Sequence, residues 1–351
     1  MFAHFARAWP EAPVYTALYD PCVTSDIVAP SRVRASYLAK VPGANRFFRA
    51  LAPFYPRAFE AFDLSAFDTI VSSTTAWAKG VIVPPGAIHV CYINTVSRFA
   101  FDYDRYVVPR LRASPYARDD DLYRKLLRRV VDRLVEWDKR AAQRPTRFVA
   151  NSRNVAERVK TFYGRDADVL PCPVDVDRFT VGAGAGDYVA IASRLLPYKR
   201  VELAIRAAQM AGVRLKIAGT GPAERALRDL ARGTTTEMLG YVSDADVNAL
   251  LGNARAAILP GEEDFGLVPI EAAAAGRPTI AFRGGGALET IVEGETGAYF
   301  DDATPESLAA ALRAFDATAY DPRRLRAHAE TFAPARFVAR LKEIVAQTGR
   351  P

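Results

Sequence analysis

Short apolar runs recur along this chain, each closed by turn residues and followed by a segment with apolar positions at helical spacing. DTIVSST (68–74), AIHVCYIN (87–94) and RFVANS (147–152) form one series. DYVAIAS (187–193), RLKIAGT (214–220), TEMLGYV (236–242), RAAILPG (255–261) and RPTIAFRG (277–284) form a second. Buried strands this short, alternating with helices, predict an α/β fold of parallel sheets built from βαβ units. The small-residue stretch VGAGAGD (181–187) between the two series reads as a linker. It divides the chain into a first domain over 1–180 and a Rossmann-like second domain over 181–327. A closing amphipathic helix, AETFAPARFVARLKEIVAQ (328–346), occupies the remainder, 328–351.

Residues 119–144 predict a further long amphipathic helix. Leu122, Leu126, Leu127, Val130, Val131, Leu134 and Val135 fall on one face of it. Three aspartates at its start suit the helix dipole. Arg124, Lys125, Arg128, Arg129 and Arg133 decorate it. That face reads either as plainly solvated or as drawn to an anionic membrane or a phosphate-bearing acceptor.

Composition narrows the picture only a little. Half the residues are hydrophobic and a quarter charged, which excludes a disordered chain. Lys and Arg outnumber Asp and Glu by 47 to 40, a formal charge of +7 that favours anionic partners. No recognised nucleic-acid motif accompanies the charge, so nucleic acid is not an expected partner. Cys22, Cys91 and Cys172 have neither metal-ligand spacing nor a disulfide framework, and a reducing cytoplasm is the expected location. No apolar run approaches the roughly 18 residues of a membrane span. The opening MFAHFARAWPEAP is too short and interrupted for a signal peptide.

The chemistry should sit in the turns after the strands, because parallel sheets bind ligands at their carboxyl ends. In SRLLPYKR (193–200), Arg194 and Lys199 offer a planar donor fork and a point charge, a pair suited to a diphosphate. In AGTGPAERAL (218–227), Gly219 and Gly221 make a tight strand-to-helix turn that lets backbone approach a ligand. In GEEDFGLVPIEAAAAG (261–276), Glu263 and Glu271 flank Phe265, Gly266 and Leu267 just before a helix. Each carboxylate can accept two hydrogen bonds from a sugar diol. Equally, Glu263 reads as a solvated loop acid and Glu271 as a carboxylate in the first helical turn, favoured by the dipole. FRGGGALETI (282–291) is a fourth glycine-rich turn, compatible with phosphate or simply a connection.

Taken in order, SRLLPYKR, IAGTGP, LGYVSDADVNALL, LPGEEDFGLVPIEAAAAGRPTIAFRGGGALETI and GETGAYF resemble the donor domain of family 4 glycosyltransferases. The resemblance runs from Arg194 to Phe300 and extends more loosely into the first half through ALYDP, DTIVSS, AKGV, HVCYIN and RFVANS. It is closest to bacterial mannosyltransferases of polysaccharide and O-antigen assembly. It implies a GT-B fold, with two Rossmann-like domains facing a cleft and the last helix crossing back to the first domain. On the residues alone, Phe332, Phe337, Val338 and Leu341 suit that crossing or packing within the second domain.

The resemblance also implies roles. Arg194 and Lys199 match the diphosphate pair, Glu263 the contact to the donor sugar, and Glu271 the contact to the ribose. Phe265, Gly266 and Leu267 match the loop whose backbone meets the sugar, and Gly240, Tyr241 and Val242 would lie near the base. The implied reaction moves a hexose from a nucleotide sugar, GDP-mannose as the expected donor, to a glycan or lipid-linked glycan. It proceeds with retention and without a cofactor or metal, in the cytoplasm or peripherally at the inner membrane.

Two departures qualify the match. FAHFARAWPEAPVYT already reads as the first helix and second strand, so the family's first strand and Gly-rich loop are not seen before it. Either further residues lie upstream or the half-domain is remodelled, and a catalytically silent nucleotide-sugar-binding partner is then the alternative. In HVCYINTVSRFAFD (89–102), Asn94 stands where close relatives often carry a histidine. Asn94 can hydrogen-bond a hydroxyl but carries no proton charge. Arg98 suits either an anionic acceptor or a structural ion pair, and His89 reads as a strand residue before a ligand.

Overall fold

The computed structural model describes residues 1–101, 121–182, 184 and 186–349. The chain divides into two compact units. One comprises Met1–Leu170 with Phe337–Pro351, and the other Pro171–Arg336.

The first unit holds β1 (Val14–Thr16), β2 (Val33–Ala35), β3 (Thr69–Thr74), β4 (Ile88–Ile93), β5 (Arg147–Ala150) and β6 (Ala167–Val169). β3-β4-β5-β6 form a parallel sheet, and β1-β2 a separate parallel pair. Its helices include α1 (Phe2–Ala8), α2 (Asp121–Ala141) and α3 (Arg153–Tyr163). Successive strand residues point to opposite faces, and the buried β4 shows the consequence. Val90 and Tyr92 pack with Phe5 of α1 and with Phe337, Leu341 and Ile344 of the final helix, Pro334–Thr348. Cys91 and Ile93 pack on the other face with Phe148, Val155 and Val159. Phe5, Tyr92 and Phe337 meet edge to face with centroids 5.4 to 5.7 Å apart, the arrangement aromatic quadrupoles favour. α3 is closed by a Ser152 side-chain cap on Val155 N–H and by Gly164 in the left-handed conformation.

The expected first strand has no counterpart among the described residues. β1 pairs with β2 and β3 with β4, and no described strand joins β1 to β3. A cavity of about 480 Å³ is lined by Val14 and Tyr15 of β1, by Thr69–Ser73 of β3, and by Phe2, Phe5 and Trp9 beside them. His89 is a fully buried strand residue, its Nε2 2.8 Å from Ser72 Oγ.

The predicted helix over 119–144 ends at Ala141. Val131, Leu134 and Trp137 are buried while Arg128, Arg129 and Arg133 are exposed, as an amphipathic face requires. The positions 119 and 120, and the side chains of Leu122, Arg124, Lys125 and Leu126, lie outside the described residues. Asp138 of α2 is fully buried. It holds Lys79 Nζ at 2.5 Å and accepts hydrogen bonds from Ser97 Oγ and Tyr163 Oη, both at 2.6 Å. Ser97 belongs to the segment after β4, so this network pins that segment.

The second unit contains β7 (Tyr188–Ala192), β8 (Arg214–Ala218), β9 (Thr236–Gly240), β10 (Ala256–Leu259), β11 (Thr279–Phe282) and β12 (Gly297–Phe300). They form one parallel sheet in the order β12-β11-β10-β7-β8-β9. The chain starts at β7, runs outward to β9, returns beside β7 as β10 and runs outward the other way. The order therefore reverses between β7 and β10. Helices α4 (Val201–Ala211), α5 (Glu224–Ala231), α6 (Asp244–Gly252), α7 (Leu267–Ala274) and α8 (Pro322–Glu330) connect or cover these strands. Ile191, Leu203, Ile205, Leu215, Ile217 and Ile258 centre the core.

Two sequence expectations are corrected here. The stretch read as a linker lies inside the second unit, whose chain begins at Pro171. A Cβ on Gly182 would stand 1.8 Å from the Gly252 carbonyl oxygen, and the buried Arg277 donates to the carbonyls of Gly252 and Gly184. Its small residues permit close packing rather than a hinge. The helix expected over 328–346 is two helices, broken between Glu330 and Pro334, because proline suits a helix's first turn and not its interior. Phe332 falls in the break and packs within the second unit against Phe265 and His328. Phe337 and Leu341 belong to the first-unit core.

Candidate functional site

The carboxyl ends of β7 and β10 flank the point where strand order reverses, and open parallel sheets bind ligands there. The turn after β7 carries Arg194 and Lys199. The loop after β10 carries Glu263, Phe265 and Gly266. Lys199 Nζ and Glu263 Oε1 form a short, partly buried ion pair, their side chains 20% and 12% exposed. The structure therefore joins the two loops across the switch point through two residues singled out from sequence. Arg194 is exposed, and its guanidinium has no hydrogen-bond or ion-pair partner among the described residues.

Glycines set this geometry. A Cβ on Gly261 would lie 2.7 Å from the Tyr198 carbonyl oxygen, which fixes how closely the two loops approach. Gly219 has φ 131° and its missing Cβ would overlap the Ser193 carbonyl. A Cβ on Gly221 would lie 2.4 Å from the Leu195 carbonyl oxygen, so the β8 turn seats against the Arg194 turn. Gly286 N–H donates to the Glu263 carbonyl at 2.8 Å, and Gly285 and Gly286 press on the backbone of Glu263 and Phe265. The fourth glycine-rich turn thus supports the acidic loop. Gly240 accepts from Gly219 N–H at 2.7 Å, followed by a half-buried Val242 and by Tyr241, which is 83% exposed.

Gly266, at φ 87°, caps α7 with a left-handed conformation that a side chain would strain. The N–H groups of the first helical turn have no partner within the helix, so they offer donors to an anion or a sugar oxygen. Phe265 is buried and anchors the loop, while Leu267 is exposed. α7 begins at Leu267, which places Glu271 in the second turn rather than the first. Its position therefore loses the dipole explanation, whose effect fades beyond the first turn. The half-buried Glu271 carboxylate makes no hydrogen bond or ion pair among the described residues. Burial raises its pKa, Arg178 and Lys199 pull it down, and Asp244 pushes it up. A carboxylate held this way, with its acceptor sites unused, is suited to a diol.

Sequence reading passed over Arg200. It is the non-glycine residue with positive φ, 55°, among those described, and it joins the turn bearing Lys199 to α4. Nε donates to Glu202 at 2.8 Å and Nη2 to the Ala303 carbonyl at 3.2 Å, holding a conformation that costs about 1–3 kcal/mol. No sequence signal marks a strained arginine.

The remaining two sequence candidates lie in the first unit. Asn94 Nδ2 donates to Ser73 Oγ at 3.2 Å and to the Thr74 carbonyl at 3.1 Å, and the Asn94 carbonyl accepts from Asn151 Nδ2 at 2.9 Å. It knits the carboxyl ends of β3, β4 and β5. Arg98 is half-buried and opens the short helix Arg98–Phe101.

Comparison with known proteins adds the class. Residues 177–331 match the family model described as Glycosyl transferases group 1. The second unit is thus similar to domains of that group, within an α/β fold of parallel sheets that matches GT-B glycosyltransferase structures. The chain is 40% identical over 122 residues to a glycogen synthase of Mycobacterium tuberculosis, covering 33% of this chain and 30% of that protein. It is 32% identical over 208 residues to the GDP-mannose-dependent alpha-(1-6)-phosphatidylinositol monomannoside mannosyltransferase of Mycolicibacterium smegmatis, covering 50% of this chain and 53% of that one. These alignments span about a third to a half of the relatives' length. Sucrose-phosphate synthase from Thermosynechococcus elongatus superposes with a TM-score of 0.72 over 99% of this chain and 91% of that chain, at 17% identity.

Proposed function

We propose that the protein is a retaining hexosyltransferase of family 4 that uses a nucleotide sugar. One observation carries the reading. Lys199, in the same turn as Arg194, pairs with Glu263 at the switch point of a sheet whose residues 177–331 match a glycosyltransferase model. In this reading Lys199 releases Glu263 to the sugar and, with Arg194, takes the diphosphate. Glu271 grips the ribose, and the turn after β9, with the exposed Tyr241, faces the base. The bond from sugar C1 to the diphosphate oxygen breaks as an acceptor oxygen bonds to C1 on the same face. The acceptor's proton passes to the departing phosphate oxygen. Arg194, Lys199 and the N–H groups opening α7 stabilise the charge that develops there, so the proposal needs no metal or protein nucleophile.

GDP-mannose is the proposed donor and a glycan or lipid-linked glycan of polysaccharide or O-antigen assembly the proposed acceptor. The mannosyltransferase relative supports the donor; the glycogen synthase relative makes a glucosyl donor the competitor. A panel of GDP- and UDP-hexoses, followed by nucleoside diphosphate release and by NMR of the anomeric proton formed, tests this. GDP-mannose should be turned over with retention and in the presence of EDTA. Loss of turnover on chelation would remove the metal-free part of the reading, and an inverted product the retaining part. The unbridged edges of β1 and β3 favour one second reading, a silent nucleotide-sugar-binding partner in an assembly complex. Donor binding without transfer to any acceptor would select it.

A further inference from the structure

The first unit carries a surface that the donor chemistry does not use. Between Asp26 and Glu60 the sequence contains no Asp or Glu, yet it contains Arg32, Arg34, Lys40, Arg46, Arg49 and Arg57. Arg32 is engaged in backbone hydrogen bonds to Ala6, Trp9 and Ala12. Lys40, Arg46, Arg49 and Arg57 are exposed and have no ion-pair partner among the described residues. Interleaved with these cations are large apolar side chains that folding leaves in water. Tyr37, Val41, Phe47, Phe48 and Phe54 are 42 to 59% exposed.

The segment is compact enough to present them together. Phe47 N–H closes a turn onto the Gly43 carbonyl at 3.1 Å. Tyr37 Oη donates to the Phe54 carbonyl at 3.3 Å, and Tyr55 Oη to the Phe48 carbonyl at 2.9 Å. Arg46 lies over the Phe47 ring at 5.6 Å and Arg49 over the Phe48 ring at 4.5 Å. The exposed Phe47 and Phe48 rings are thus each paired with a cation whose planar head can turn to an anion.

A soluble polyanion would use the cations and leave the phenylalanines hydrated. A bilayer interface uses both. Aromatic side chains favour the headgroup level, and each nearby Lys or Arg adds attraction to anionic lipid. We propose that the segment from Tyr37 to Phe54 docks the first unit onto the surface of an anionic lipid bilayer. The phenylalanines enter the interface and the arginines meet lipid phosphates. No described helix is long and apolar enough to cross a membrane, and this is a surface contact.

The test is flotation with phosphatidylcholine vesicles, with and without phosphatidylglycerol. The protein should float with the anionic vesicles alone, less so as salt rises. Arg46→Gln with Arg49→Gln should weaken binding by about tenfold or more, and Phe47→Ser with Phe48→Ser should abolish it. Phe47→Trp keeps an aromatic in place and should gain a blue-shifted emission over the parent when anionic vesicles are added. Failure to float at low salt, equal binding by both double variants, or no emission change would each overturn the proposal. So would retention on heparin that survives the phenylalanine changes without vesicle binding. Nucleotide-sugar binding by the second unit does not enter this test, so either reading can fail without the other.

Discussion

The Lys199–Glu263 pair and the exposed Arg194 make different demands on the same chemistry. Arg194 is exposed and has no side-chain partner among the described residues, so Arg194→Ala should leave the unfolding free energy within about 0.5 kcal/mol of the parent. It should lower kcat/KM by about 10²-fold if it stabilises the leaving diphosphate; unchanged kinetics would remove it from the site. Lys199→Ala leaves Glu263, 12% exposed, without its cation, so it should lower both stability and donor turnover. Adding Glu263→Gln should recover stability and leave turnover low, which separates the structural role of the pair from its chemical one. His89 gives a prediction of another kind. Burial lowers its pKa to about 3, and its Nδ1 has no hydrogen-bond partner among the described residues. Above the ordinary histidine pKa the ring is neutral folded or unfolded and the effect is nil. As the pH falls from about 6.5 toward about 3, the unfolded chain takes up a proton that the folded one refuses. Stability should then decline by about 1.4 kcal/mol per pH unit. Denaturant titrations at pH 7 and pH 5 should show this loss, and His89→Gln should remove it.

At the scale of elements, β1 and β2 form a pair of three-residue strands bordering a cavity, whereas β4 is buried between β3 and β5. Short strands with an open edge unfold locally at little cost. Hydrogen exchange should therefore be fast in Val14–Thr16 and Val33–Ala35 and slow in Ile88–Ile93; equal protection would mean that the cavity edge is as stable as the core. The same contrast explains what the sequence disclosed. β3, β4, β5 and β7 to β11 were legible because each is an apolar run between turn residues. β2, β6 and β12 were not, since their Val-Arg-Ala, Ala-Asp-Val and Gly-Ala-Tyr-Phe sequences have no such contrast and are strands through their pairing alone. The site turns were legible as glycine and charge after strands. Which glycine meets which carbonyl, the second-turn place of Glu271 and the strain at Arg200 depend on tertiary approach, which no local pattern records.

For the whole molecule, the two units have separate cores, and Arg194, Lys199, Glu263 and Glu271 all lie within Pro171–Arg336. A ligand that binds one folded unit stabilises that unit by mass action, about 2.7 kcal/mol at a hundredfold excess over Kd. A two-unit chain has no obligation to unfold in one step. Calorimetry should then resolve a component that rises in temperature with added GDP or UDP and a component that moves less. Exchange protection should gather in 193–200, 219–221, 240–242 and 261–271. Phe337→Ala supplies the reverse perturbation. It removes one ring of the Phe5–Tyr92–Phe337 cluster, a change worth about 3–5 kcal/mol, and should lower the component that the nucleotide leaves alone. If nucleotide instead shifts every component equally, and Phe337→Ala lowers every component equally, the two cores unfold as one cooperative body. The final helix, whose Phe337, Leu341 and Ile344 complete the first core, would then carry that cooperativity along the chain.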